Sequence, residues 1–209
     1  MMPLATMTFD ISSLETGDII LFRGHSWISY VLEWLGRSCY SHVGMIIKNP
    51  SFMDSSLPDG IYLLESGWNP LPDSEDHTLK YGVQLHLFSD IVKQCTVHSV
   101  YVRRLHCERT ASFYSRLDTI HKSIHNRPYD LNLWDWLSAL YCLDIHSKLT
   151  PGATGNKSAF WCSALIAFVY DELGLINPIC WTQVVPRDFS LWSKRLEFRC
   201  KVGTEEFIQ

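Results

Sequence analysis

The stretch Phe160-Trp161-Cys162-Ser163-Ala164-Leu165-Ile166-Ala167-Phe168-Val169-Tyr170 sets one thiol at the start of a segment that is apolar on nearly every side. Ser158 suits the N-cap, Leu165, Ile166, Phe168, Val169 and Leu173 recur at helical spacing, and Gly174 suits the position just past the end. The spacing predicts a helix whose first turn carries Cys162. There the unpaired backbone N–H groups and the macrodipole stabilise negative charge, which favours a thiolate and hence a nucleophile. A cysteine packed as a small hydrophobe would also fit this position. A reactive role therefore needs a base, and a partner for the base, elsewhere in the chain.

The rest of the composition narrows the setting. A chain of 209 residues, 46% hydrophobic and 19% charged, can build one substantial core, and we expect a single domain over residues 1–209. A net charge of -4 gives no electrostatic reason to invoke nucleic acid. Seven cysteines, an odd count without a CxxC pair, fit a reducing compartment, so a cytoplasmic location is expected. Met1 to Asp10 lacks the features of a secretory signal. The longest apolar run, around Ala159 to Tyr170, is well short of the ~20 residues that span a bilayer, so no transmembrane segment is expected.

Working outward, Gly17-Asp18 turns into Ile19-Ile20-Leu21-Phe22, a continuous apolar run that predicts a buried strand. A helix is expected from Ser26 to Leu35, strands over Tyr40–Ile47, Ile61–Glu65, Gly82–Phe88 and Val97–Leu105, and helices over Ser89–Gln94 and Thr110–His125. Ser51 to Gly60 and Gly67 to Lys80 read as loops, as does Asn126 to Asp130, where Pro128 pushes Arg127 out of the helical region. Leu131 to Leu143 reads as a short aromatic helix, Thr150 to Lys157 as a connection, and Pro186 begins a final irregular stretch. Strands then helices without βαβ alternation predict an α+β fold.

Among nine histidines, His25, His77, His121, His125 and His146 sit in polar or loop contexts that exposure explains, and His86 and His98 take the outward parity of their strands. His42 differs, opening an otherwise apolar strand on the parity of Gly44 and Ile46. Gly44, lacking a side chain, leaves room for another element or a substrate to approach. Histidine is the side chain that can both accept and return a proton near neutrality. Glu65 follows Ile61 and Leu63 on one strand parity, at the margin of an apolar face where a carboxylate needs a partner. The competing readings are a core histidine satisfied by a carbonyl and a strand-end glutamate reaching solvent. Asp18, Asp130 and Asp188 have adequate turn or loop explanations. Cys95-x-x-His98 and His106-Cys107 carry zinc-site residue types, but a strand points alternate residues to opposite faces, so no metal is expected. The Gly-Ala-Thr-Gly run at 152 to 155 lacks the lysine-serine ending of a phosphate loop.

With thiol, imidazole and carboxylate in view, the chain resembles the circularly permuted papain-like amidases, the YiiX-like relatives of the NlpC-type peptidases, a group with a poxviral branch. The matching pieces are Gly17-Asp18-Ile19-Ile20-Leu21-Phe22-Arg23-Gly24, Tyr40-Ser41-His42-Val43-Gly44-Met45, Tyr62-Leu63-Leu64-Glu65-Ser66, Gly82-Val83-Gln84-Leu85, Arg127-Pro128-Tyr129-Asp130 and Phe160-Trp161-Cys162-Ser163. They come in the permuted order, histidine before acid before cysteine. The resemblance implies a permuted papain-like (NlpC-type) fold, an antiparallel sheet packed against the cysteine-bearing helix. It also implies a cysteine-dependent hydrolase of amide, peptide or isopeptide bonds, with Cys162 as nucleophile, His42 as proton shuttle and Glu65 as its orienter. Trp161, Ser41 and Tyr129 are expected to line the cleft, and no cofactor is implied. A lipid acyl hydrolase or acyltransferase on the same triad, with aromatic residues lining an apolar groove, and a non-catalytic viral or regulatory binding module are the alternatives. The substrate is thus peptide-like or acyl, and oligomeric state is open.

Overall fold

Strand β1 (Ile19–Phe22) is buried along its whole length, as a continuous apolar run requires. The computed structural model describes residues 9–24, 39–95, 99–130 and 159–208. The helices expected from Ser26 to Leu35 and from Leu131 to Leu143, the connection at 150 to 157 and Ser158 lie outside these residues. Around β1 are β2 (His42–Lys48), β3 (Ile61–Trp68), β4 (Tyr81–Leu87), β5 (Val100–His106) and β6 (Lys201–Phe207). They form one six-stranded sheet in the order β4-β3-β2-β1-β5-β6, each neighbouring pair antiparallel. Besides short 3-10 turns, the described residues form three α-helices: α1 (Phe88–Gln94), α2 (Ala111–Ile124) and α3 (Cys162–Glu172). The fold is a mixed α/β arrangement with this antiparallel sheet at its centre.

Register explains why both faces are covered. Ile20 opposes Gly44, Ile46 opposes Leu63 and Leu63 opposes His86, so these residues share one face with α1, where Leu14, Phe88 and Ile91 complete an apolar cluster. The opposite face presents Leu21, Met45, Leu64 and Leu85 to α3 and α2. Helix α3 is buried from Cys162 through Tyr170, which suits a helix apolar all round. Each of Leu165, Ile166, Phe168 and Val169 stabilises the fold by about 1.5–3 kcal/mol through its burial.

The start of α3 is fixed by tertiary hydrogen bonds rather than by the expected Ser158 cap. Phe160 N–H donates to the Pro128 carbonyl at 3.1 Å, and Ser66 Oγ donates to the Phe160 carbonyl at 2.6 Å. These keep the chain extended until Trp161, which becomes the N-cap and leaves Cys162 as the first helical residue. The other end follows its sequence signal: Gly174 is left-handed at φ +73, and Leu175 N–H reaches back to the Tyr170 carbonyl at 2.8 Å.

Two expected boundaries move. Strand β3 runs past Glu65 to Trp68, because Ser66, Gly67 and Trp68 pair with Val83, Gly82 and Tyr81 of β4. The stretch after Pro186, expected to be irregular, holds the edge strand β6, whose largely exposed residues carry little apolar alternation for a sequence pattern to register.

Candidate active site

His42 stands at the first position of β2, at the rim of the sheet, with its ring 5.5 Å from that of Phe22 and its Cε1 beside Gly67. Its Nε2 meets Glu65 Oε2 at 2.6 Å. The Cys162 side chain is the imidazole's other electrostatic partner. The rim position matters: by register His42 lies on the sheet face opposite α3, and only at the strand's end can its ring meet the start of that helix. Cys162, His42 and Glu65 are therefore brought together in series.

The electrostatics follow from burial and partners. Burial works against a charged His42 ring, but the Cys162 charge and hydrogen bond, with those of Glu65, outweigh it and raise the imidazole to about 10. The side chain is 27% exposed, against 7% for Glu65. For Glu65, burial would raise the carboxyl, yet the His42 bond and charge, the charge of His86 and a 3.4 Å bond from Asn69 Nδ2 hold it below the ordinary value. The arrangement favours an imidazolium between two acids.

The α3 terminus adds donors. Leu165 N–H is the first to close a helical turn, onto the Trp161 carbonyl at 3.0 Å, so the N–H groups of Cys162, Ser163 and Ala164 have no acceptor within the helix. Ser163 Oγ donates to the Val184 carbonyl at 2.7 Å and holds this turn in place. Tyr129 stacks on Tyr81 with centroids 4.5 Å apart. Burial, followed by the charge of Cys162, pushes both phenols above their usual value, so the pair lies within electrostatic reach of the thiol.

One expected cleft residue sits differently. Trp161 is buried at 3% exposure and its indole donates to the Val184 carbonyl at 3.3 Å, so it packs beneath the helix start instead of lining an opening. Ser41 is half-buried, held by its N–H to the Phe22 carbonyl at 3.0 Å. The space above Gly44 is filled by Leu63, whose Cδ1 would lie 2.7 Å from an added Cβ, and is not open to another element. Asp18 is buried in structural contacts, accepting from Leu105 N–H at 2.9 Å and pairing with Arg104, and Asp188 pairs with Arg195.

No protein-family model matches the sequence, and no curated protein matches it. The solved metalloprotein YiiX from Escherichia coli O157:H7 is similar to it in fold. Similarity covers 77% of this chain and 67% of that chain, at 20% identity and a TM-score of 0.47.

Sequence reasoning missed His86 and Tyr81. His86 was expected to point outward, but it is 1% exposed, with Nε2 3.7 Å from Glu65 Oε1 and neither ring nitrogen hydrogen-bonded among the described residues. Strand parity correctly puts it opposite Leu85; the cover that α1 lays over that face is invisible to parity. His121, also expected to be exposed, is buried at 3% on the inner face of α2 against Glu75. Glu75, His121 and His125 are the described residues whose side chains converge as metal ligands can. None of the described helices is long and apolar enough to cross a membrane.

Proposed function

We propose that the protein is a cysteine-dependent hydrolase of amide or peptide bonds built on a permuted papain-like fold of the NlpC type. The observation that carries this reading is the His42 ring held between Glu65, at 2.6 Å, and the Cys162 side chain. In the reaction the Cys162 thiolate attacks the carbonyl carbon, and the resulting oxyanion accepts from the Cys162 N–H at the start of α3. The His42 imidazolium gives its proton to the leaving nitrogen as the C–N bond breaks, leaving a thioester. Neutral His42 then takes a proton from water, whose oxygen displaces the sulfur and releases the acid. Glu65 keeps the ring oriented and compensates its charge in both steps.

An acyl substrate is the second reading, favoured by one observation. Trp68, 64% exposed, opposes Tyr81, 43% exposed, which stacks on Tyr129 within electrostatic reach of the thiol, so an exposed aromatic edge borders the site. A nucleophilic thiol also fits a reducing compartment such as the cytoplasm, and Cys39, Cys95, Cys107, Cys162, Cys180 and Cys200 form no disulfide among the described residues.

The test is trapping of a thioester. The full chain is incubated with peptide-amide, small-ester and lipid-ester probes and the adduct is located by mass spectrometry. Acylation at Cys162 by the amide probe, lost in His42→Ala, supports the hydrolase. Acylation by the lipid ester alone supports the second reading, and none with any probe overturns both.

A further inference from the structure

We propose that Glu75, His121 and His125 form a binding site for one divalent cation of the zinc class, away from Cys162. The two imidazoles lie one helical turn apart at the end of α2, on the same face, and Glu75 reaches them from the loop between β3 and β4. His121 Nε2 is 2.8 Å from Glu75 Oε1, and His125 Nδ1 is 3.1 Å from Glu75 Oε2. The three potential ligand atoms fall within 4.8 Å of one another. Tetrahedral zinc with bonds of about 2.0–2.1 Å sets its ligand atoms about 3.3–3.4 Å apart, so each Glu75–histidine contact has to open by about half an ångström or less, and the histidine pair, within 4.8 Å, has to adjust to the same spacing.

Charge points the same way. The His121 and Glu75 side chains are only 4% and 9% exposed, and Glu75 pairs with no lysine or arginine among the described residues. Nearby cations are already engaged: Lys122 binds Asp118 at 2.6 Å, and Lys80 binds Asp73 and Asp76. Asp54 and Asp76 line the same open cleft of about 300 Å³, adding negative charge in front of the cluster. Lys122 lines that cleft too but pairs with Asp118, and Lys80 answers Asp76, so the desolvated Glu75 carboxylate between two imidazoles is the group left for a cation to complete. Two nitrogens and a carboxylate select a borderline metal such as zinc over calcium or magnesium, which take oxygen sets. Glu75 is also pre-positioned: its N–H donates to Asp73 Oδ1 at 2.8 Å, and Asp73 is itself buried and tied to Lys80. Three protein ligands leave the fourth position to solvent in the cleft, and the ion would tie the β3–β4 loop to the end of α2.

The competing zinc ligands are the Cys162 group and the other thiols, so the experiment separates them. Zn(II) is titrated calorimetrically into the metal-free full chain, into Cys162→Ser, and into His125→Gln and Glu75→Gln, each first shown to be folded by circular dichroism. Co(II) is then added to wild type and its visible absorption recorded. The expected result is one equivalent bound by wild type and by Cys162→Ser, with affinity at least about tenfold weaker in His125→Gln and Glu75→Gln. The cobalt spectrum should show tetrahedral or five-coordinate bands without a thiolate charge-transfer band. Absence of binding, unchanged affinity in the two cluster variants, or loss of binding in Cys162→Ser overturns the site. None of these outcomes touches the thioester test, so the two proposals fail separately.

Discussion

Glu65 and Glu75 make the same contact, a nearly buried carboxylate against an imidazole, at 2.6 Å in one case and 2.8 Å in the other. They differ in what the imidazole meets next. His42 is carried on a strand end and has a sulfur beyond it, whereas His121 is carried on a helix and has a second imidazole a turn away. The carboxylate–histidine pair alone therefore specifies no chemistry. In the two proposals the third group does: a thiol would make the pair a proton shuttle, and a second histidine would make it a ligand set.

The sharpest way to break the comparison is to remove the third group. Replacing Cys162 with Ala should abolish thioester formation, and His42→Ala should slow it by about 10³-fold or more, read as the rate of adduct growth. A His42→Ala protein that acylates at the wild-type rate would mean that the Glu65 pair is structural and the two clusters differ less than their geometry says.

Removing the carboxylate tests the next level. Glu65→Gln keeps the shape but deletes the charge that helps hold His42 protonated, and acylation should fall by about 100-fold. The pH dependence carries the sign. The raised His42 value, about 10, means that the imidazolium persists through neutrality and is lost as pH rises through that region. Its stabilisation of the fold is fully present below the unfolded value of about 6.5 and disappears on the alkaline side. In Glu65→Gln the alkaline limb of the acylation rate should move to lower pH. An unmoved limb would show that Glu65 does not set the charge of His42.

How much of this contrast could be read from sequence depends on where each group's signal lies. Cys162, His42 and Glu65 each interrupt an apolar run, so burial of a polar group is legible locally. His86 and His121 are as deeply buried, but their segments are polar, and their cover comes from α1 and from the β3–β4 loop, which are distant in pattern if not in space. Glu75 lies 46 residues before His121, and no periodicity relates a loop carboxylate to a helix it folds against. The same limit hid β6, an edge strand whose residues are all exposed or half-buried, which blurs any alternation. The sheet's centre, by contrast, was plain in Ile19 to Phe22 because a strand buried on both faces needs apolar residues throughout.

A packing change should separate the two clusters by stability. A Cβ on Gly82 would lie 2.3 Å from the Arg127 carbonyl oxygen and 2.9 Å from Pro128 Cα. Gly82→Ala must therefore push the segment that bonds Tyr81 and Phe160 away from β4, disturbing Tyr129 and the start of α3. We expect a loss of about 1–3 kcal/mol, a fall in melting temperature of several degrees, and slower acylation at Cys162. Unchanged melting would show that the 127–129 segment is not packed where Gly82 requires it.

The smallest effect is at His125, and its smallness is the point. His125 is 31% exposed and meets Glu75 at 3.1 Å, so in metal-free buffer the pair is worth at most about 1 kcal/mol. His125→Gln should melt no more than about 2–4 °C below wild type under those conditions. Zinc changes the comparison, because an ion that binds only the folded chain stabilises it by mass action, by about 2.7 kcal/mol at a hundred times its dissociation constant. Wild type should then gain several degrees on adding Zn(II), and the variant far less. Equal gains would place the bound ion elsewhere, with the thiols the first place to look, and would leave Glu75 and its two histidines as a hydrogen-bonded clasp between loop and helix.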